Sequence, residues 1–359
     1  MADVDRLAAT YAQARARFLT AADETGARST SHPHPHTGPV GEQLAIDVAE
    51  WGPPEAAEVV LVVSGTHGIE GFCGSALQSH WITEHCGTPD GTSPRHVRLV
   101  MVHALNPFGF AWCRRVNEDN VDLNRNFVDW DAPPPHNDAY DTLADLLVPA
   151  QWDDATRDRT SAELLEHARQ LGVVGLQQAI TSGQYRHPTG VFYGGDGPTW
   201  SNRWLTGWFT RQLATCERLG IIDLHSGLGA WGEGEYIVHH PSDHPAFRRA
   251  DRRWPAVRSA ADGDSVSVLL SGDWLQHVES LIPHVEVTSA ALEFGTVDPI
   301  SVLQALRSDA WLWSHGDPRS ATGDAVRAQV RAAFADDDPA WLERLWEQFV
   351  EAMAGALPH

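Results

Sequence analysis

Three stretches of the 359-residue chain carry side chains that could do chemistry together. The first is Ser64-Gly65-Thr66-His67-Gly68-Ile69-Glu70-Gly71, where an imidazole and a carboxylate stand close in sequence between glycines. The second is Asp223-Leu224-His225-Ser226-Gly227, and the third is Glu293, set between Leu292 and Phe294. Two histidines and one carboxylate suit a catalytic zinc, because they leave a fourth position for water, whose pKa then falls towards roughly 7. Glu293 is a carboxylate in an apolar run and so needs a partner or a function. Beside such a cation it is a candidate general base, with a buried salt bridge as the alternative. Asp223 precedes His225 by two residues and shares its face of a strand. It could accept the second ring proton that metal-bound histidines generally donate, or hold a backbone donor instead.

Arginines supply the complementary charge. Arg114, Arg115 and Arg125 cluster with Asn124 in a chain that has 26 basic residues against 48 acidic ones. A guanidinium can bind a carboxylate bidentately or stabilise an oxyanion. The competing role is to neutralise Glu118, Asp119 and Asp122. That role is favoured for Arg114, and a functional one for Arg115 and Arg125.

These groups need elements to position them. Val59 to Val63 is a continuous β-branched run, the pattern of a strand covered on both faces. His96–His103, Gly220–Leu224, Glu235–His239 and Thr288–Phe294 read as further strands, and Gly41–Glu50 as a half-buried one. The His67/Glu70 turn, His225 and Glu293 then fall at or near strand ends, where open α/β sheets place their sites. Helices are predicted over 3–23, 72–81, 204–219 and much of 299–356. Residues 24–40 carry Gly, Ser and Pro punctuation and read as a long loop, with His32-Pro33-His34-Pro35-His36 on its surface. Residues 128–200 form a long connection with helices near 138–148, 161–170 and 174–181, placed to shape or cover a pocket. Strand and helix patterns alternate without a separating linker. This predicts a single α/β domain over 1–359, with a mixed, mostly parallel central sheet and helices on both faces.

Bulk properties exclude several functions. A formal charge of −22 argues against nucleic-acid binding and against anionic membranes. The four cysteines, Cys73, Cys86, Cys113 and Cys216, lack the spacing of a disulfide framework or a thiolate zinc site. The N-terminus has no basic region followed by an apolar one, and no apolar run approaches a membrane span. A cytoplasmic protein is the expectation.

In this order, His67-x-x-Glu70, Asn106-Pro107-x-Gly109, Asp122-Leu123-Asn124-Arg125-Asn126-Phe127, His225 and Glu293-Phe294-Gly295 resemble the zinc carboxypeptidases of the carboxypeptidase A type and their aspartoacylase and succinylglutamate desuccinylase relatives. Together with Phe72-Cys73-Gly74-Ser75 and His187-Pro188-Thr189-Gly190, they are most similar to a bacterial branch of that clan defined only as a domain of unknown function. The resemblance implies one zinc ion on His67, Glu70 and His225, with Glu293 as the general base. It implies Asn124 and Arg125 as the holders of a substrate carboxylate, and Arg115 or Arg114 as the arginine that polarises the scissile carbonyl. The carboxylate-binding tyrosine of the clan has no motif of its own; Tyr236 is the candidate, with Tyr193 behind it. The implied activity is zinc-dependent hydrolysis of an amide in a short peptide or an N-acyl amino acid with a free carboxylate. The rival classes are a catalytically silent metal- or ligand-binding protein on the same fold, and an esterase using Ser64 or Ser226. The esterase lacks a Gly-x-Ser-x-Gly elbow.

Overall fold

The structure, a computed structural model, describes residues 6–86, 96–213 and 215–357. Its strands are β1 (Arg28–Thr37), β2 (Gln43–Trp51), β3 (Glu58–Ser64), β4 (Val97–His103), β5 (Arg218–Trp231), β6 (Gly234–Val238), β7 (Arg258–Ser259) and β8 (Glu286–Gly295). They form one sheet in the order β1-β2-β4-β3-β5-β8-β6-β7. At the centre β4, β3, β5 and β8 run parallel. Strand β2 is antiparallel to β4, and β6 is antiparallel to β8. The mixed, mostly parallel sheet of the sequence reading is therefore observed.

Alternation along the central strands explains why helices cover both faces. On β3, Val60 and Val62 join one apolar core while Val59, Leu61 and Val63 join the other. Ile222 and Leu224 of β5 follow the first face, and Leu219 and Ile221 the second. The first face is packed by helices Tyr11–Glu24, Gly71–Trp81, Pro299–His315, Ala321–Phe334 and Pro339–Ala356; the second by helices Trp200–Gln212 and Trp274–Leu281. Among the described residues no helix is long and apolar enough to cross a membrane.

Residues 24–40 are not a loop. Residues 28–37 pair antiparallel with β2 in the register His32↔Ile46 and Pro33↔Ala45, with a shift before Thr37. Proline is tolerated because β1 is the outermost strand, so its missing N–H removes no bond on the open side. His34 is buried, with Nε2 3.2 Å from Glu118. The connection after residue 128 also differs in detail. The segments read as helices near 161–170 and 174–181 are parts of Asp154–Thr181, interrupted at Gly172, whose φ of 76° leaves the helical region.

The strand order reverses beside β3. The chain goes from β3 to its neighbour β4 on one side, then crosses to β5 on the other. A crevice opens at the carboxyl ends of strands flanking such a switch. Ser64, His225 and Glu293 lie near those ends.

Candidate active site

The turn after β3 is held by backbone contacts that only glycine permits. A Cβ on Gly68 would lie 2.1 Å from the carbonyl carbon of Gly109. The N–H groups of Gly68 and Ile69 donate to the carbonyls of Arg115 (3.1 Å) and Arg114 (2.7 Å). Asn106 caps the short helix Pro107–Ala111, accepting from the Gly109 N–H at 2.8 Å. Its amide nitrogen also donates to the Arg115 carbonyl at 3.3 Å. The Asn106-Pro107-x-Gly109 motif thus docks the arginine segment against the His67 turn.

His67, Glu70 and His225 converge, each offering a ligand atom within 4.8 Å of the others. Nδ1 of His67 lies 2.9 Å from Glu70 Oε1, Nδ1 of His225 lies 2.8 Å from Glu70 Oε2, and the two Nδ1 atoms are 3.1 Å apart. The outer nitrogens face other carboxylates. His225 Nε2 is 2.6 Å from Asp223 Oδ2, and His67 Nε2 is 3.2 Å from Asp122 Oδ1. Asp223 is itself fixed by Thr66 Oγ1 (2.8 Å) and Trp274 Nε1 (2.8 Å), both donating to it. With the Nε2 proton given to Asp223, neutral His225 turns a lone pair towards the Glu70 carboxylate. A proton on Nδ1 or a bound cation must then lie between that nitrogen and the carboxylate. Two imidazole nitrogens and one carboxylate oxygen are a donor set that zinc accepts, so the residues present fit the metal.

The electrostatics agree. Burial opposes ionisation of Glu70, but His67 and His225 outweigh it and hold the carboxyl below its usual range. Burial likewise opposes charging His225, yet Asp223 and Glu70 hold its ring well above the ordinary histidine value. The cluster therefore carries an affinity for positive charge at its centre.

Glu293 sits opposite His225 in the β5–β8 register. Its Oε1 accepts from the Leu228 N–H at 2.9 Å. Burial first, then the Glu70 charge, pushes its carboxyl up to about 7. Arg115 reaches into the same corner. Nε donates to Asp122 Oδ2 at 2.9 Å, one terminal nitrogen lies 3.1 Å from Glu70 Oε1 and the other 2.8 Å from His67 Nε2. Asn124 and Arg125 occupy a short 3₁₀ turn capped by Asp122, which accepts from the Asn124 N–H at 3.0 Å. Asn124 Oδ1 is buried and has no hydrogen-bond partner among the described residues. Arg125 donates to the Thr181 carbonyl through Nε at 3.0 Å and through one terminal nitrogen, and to the Asn124 carbonyl through the other at 3.0 Å.

His67, His225, Glu293, Arg115, Asn124 and Arg125 all line one cavity of about 590 Å³. Glu70 is not among the lining residues, and neither are Arg114 and Tyr236. Arg114 is turned away: Nε donates to Asp309 at 3.0 Å, a terminal nitrogen donates to Asn120 Oδ1 at 2.9 Å, and the guanidinium lies 4.2 Å over the Trp313 ring. It forms a buried ion pair with Asp309, the neutralising role favoured for it from the sequence, and of the two adjacent arginines Arg115 is the one that lines the cavity. Tyr236 pairs with Leu292, so it projects to the opposite face from Glu293. Its ring stacks on Trp254, and its hydroxyl lies 3.5 Å from the Gln348 carbonyl. Tyr193 does not line the cavity either; its carbonyl accepts from the Asp122 N–H at 2.8 Å.

Sequence reasoning missed three neighbours of the site. Asp122 was read only as a counter-ion, yet it contacts both Arg115 and His67. Phe192, at a left-handed φ of 55°, places its ring 5.5 Å from the guanidinium of Arg115 and equally far from that of Arg125. Tyr185 is the tyrosine beside Arg125, donating to its carbonyl at 2.6 Å. Only Asp122 had a signal, its place in the Asp122-to-Phe127 motif.

Sheet order, switch point and site position define an α/β fold of the zinc carboxypeptidase kind, as the sequence resemblance implied. Carboxypeptidase A from Helicoverpa armigera is similar over 92% of this chain and 75% of its own, with 14% identity and a TM-score of 0.50. The chain belongs to the family described as protein of unknown function DUF2817, which it matches over residues 7–348. Other similar structures are an aspartoacylase family protein from Mesorhizobium loti (14% identity, 75% of this chain and 61% of that one, TM-score 0.37) and bovine thrombin-activatable fibrinolysis inhibitor in complex with tick carboxypeptidase inhibitor (10% identity, 92% and 97%, TM-score 0.47). No curated protein matches the sequence.

Proposed function

We propose that this chain is a zinc-dependent amide hydrolase acting on a short peptide or an N-acyl amino acid with a free carboxylate. The observation that carries the reading is the meeting of the His67, Glu70 and His225 ligand atoms, at hydrogen-bond distances from one another, beside a cavity lined by His67, His225 and Glu293. His67 and His225 would bind the ion through Nδ1 and Glu70 through a carboxylate oxygen. Bound there, zinc supplies Lewis acidity to an amide carbonyl and lowers the pKa of water.

The remaining work belongs to the protein. Asp223 keeps the His225 proton on Nε2, and so keeps Nδ1 free. Glu293 accepts a proton from the attacking water and returns it to the leaving amine. Its one backbone bond, from Leu228, holds one carboxylate oxygen and leaves the other to take the proton. Arg115 supplies N–H donors to the developing oxyanion. Asn124 and Arg125 anchor the substrate carboxylate. Arg125 would exchange the Thr181 carbonyl for that anion, and the Asn124 Nδ2 group would be the donor beside it.

The test is elemental analysis of purified protein together with turnover on a panel of dipeptides and N-acyl amino acids. One equivalent of zinc and hydrolysis that disappears in Glu293→Gln are the expected results. A Glu293→Gln protein with full turnover refutes the proposal.

A further inference from the structure

The polar floor fills only one corner of the 590 Å³ cavity. Most of the remaining wall is hydrocarbon. Val173, Leu176 and Ile180 come from the second half of helix Asp154–Thr181, Val268 from the loop before helix Trp274–Leu281, and Ile300 and Leu306 from helix Pro299–His315. Away from the floor, the ionisable lining side chain is His239, whose Nδ1 lies 3.0 Å from buried Asp273. The walls are tied together: Gln177 Nε2 donates to the Val266 carbonyl at 3.0 Å, and Gln178 Nε2 to that of Leu269 at 3.4 Å. A small acyl group or a short side chain would leave most of this surface against water.

A second observation concerns the surface around the cavity. Val173 and Ile300 line it and are nevertheless 77% and 71% exposed. Leu171, Val174 and Leu269, adjoining lining segments, are exposed as well. Gly172 interrupts the helix at this point. An apolar collar of this kind on a protein of charge −22 marks a place where hydrocarbon is met.

We propose that the substrate is an amphiphile, an amide that carries both a carboxylate and a linear aliphatic chain, and that the chain lies along the Val173–Ile180 wall and leaves past Val173 and Ile300. This rests on the hydrolase reading for the position of the amide, but the cavity and its collar stand without it. The chain can belong to the acyl group or to the amino acid, and both present the same methylenes to the wall. Each methylene taken from water adds about fourfold in affinity or kcat/KM (roughly 0.8 kcal/mol), until the cavity is filled.

Two homologous series test this. One is N-acylglycines from acetyl to dodecanoyl; the other is N-acetyl amino acids with linear side chains from alanine to 2-aminododecanoate. Turnover is followed with zinc-loaded wild type, and binding by calorimetry with Glu293→Gln. A several-fold rise per methylene in either series supports the proposal, and the rising series tells which side of the amide bears the chain. Val173→Lys, at an exposed position, should lower the long-chain to short-chain ratio several-fold without moving the melting temperature. Leu176→Trp should shorten the preferred chain. Rising affinity without turnover of any member keeps the chain site and refutes the hydrolase. Turnover of the shortest members with no dependence on length in either series refutes the chain site and keeps the hydrolase. Neither binding nor turnover refutes both.

Discussion

Asp223 accepts the Nε2 proton of His225 at 2.6 Å, and that bond decides which nitrogen faces Glu70. Replacing Asp223 by Ala frees the ring to rotate or change tautomer while leaving the proposed ligand atoms of His67, Glu70 and His225 in the chain. Loss of such a partner typically weakens metal binding by about 10- to 100-fold. Competition with a chromogenic chelator should show that loss, and substitution of Thr66, one bond further out, a smaller one.

Glu293→Gln keeps the shape of the side chain and removes its basicity. Turnover should fall by about 10²- to 10⁴-fold, the usual span for a positioned acid–base group. Stability should hold or rise, since a carboxylate whose burial raises its pKa is costly to keep ionised. Thermal melts beside the activity assay separate the two effects. Arg115→Met should also cost activity, by about 10²- to 10³-fold if its donors meet the oxyanion.

Arg114 and Asp309 make the opposite prediction. Both are buried, and the guanidinium lies against Trp313. Arg114→Met leaves the Asp309 carboxylate without its partner and should cost about 3–5 kcal/mol in denaturant unfolding. The double substitution with Asp309→Leu should recover much of that cost. Tyr236→Phe, remote from the cavity, should leave kcat unchanged.

With zinc bound as proposed, chelation should abolish turnover and lower the melting temperature together. A ligand present at 100 to 1,000 times its Kd stabilises the folded state by about 3–4 kcal/mol. Zinc added after chelation should restore both, and a scan with and without chelator measures the difference.

His103 predicts an acid limb of stability. It is buried, stacked on Phe18 with ring centroids 4.7 Å apart, and bonded through Nε2 to Ser75 Oγ at 2.9 Å, while Nδ1 has no partner among the described residues. Burial pushes its pKa down to about 4. The unfolded chain therefore binds more protons between about 6.5 and 4. Its contribution is fully present above pH 6.5 and is lost as pH falls to 4, on the order of 3 kcal/mol. Unfolding free energies across that interval should show this slope, and His103→Phe should flatten it.

Much of this arrangement was legible in the chain because burial writes itself into residue type. Val59–Val63 is apolar on both faces because both faces are covered. The His67 and His225 segments stood out because glycines and polar groups interrupted the apolar runs. Strand β1 was hidden because an edge strand needs neither apolar residues nor a full set of N–H groups. Tyr236 misled because residue type says nothing about face; its register with Leu292 does. The opposed directions of Arg114 and Arg115 depend on Asp309 and Asp122, one of them far along the chain. The Phe192 ring between two guanidiniums depends on a backbone angle that no motif announces.

The prolines of β1 have a consequence beyond that strand. An open sheet ends in rows of unpaired backbone groups that can recruit a strand from another molecule. Here one border is β1, interrupted by Pro33 and Pro35, and the other is β7, only two residues long. Neither offers a continuous ladder to a second chain. This eight-stranded sheet is thereby guarded at both margins against growing into a fibril.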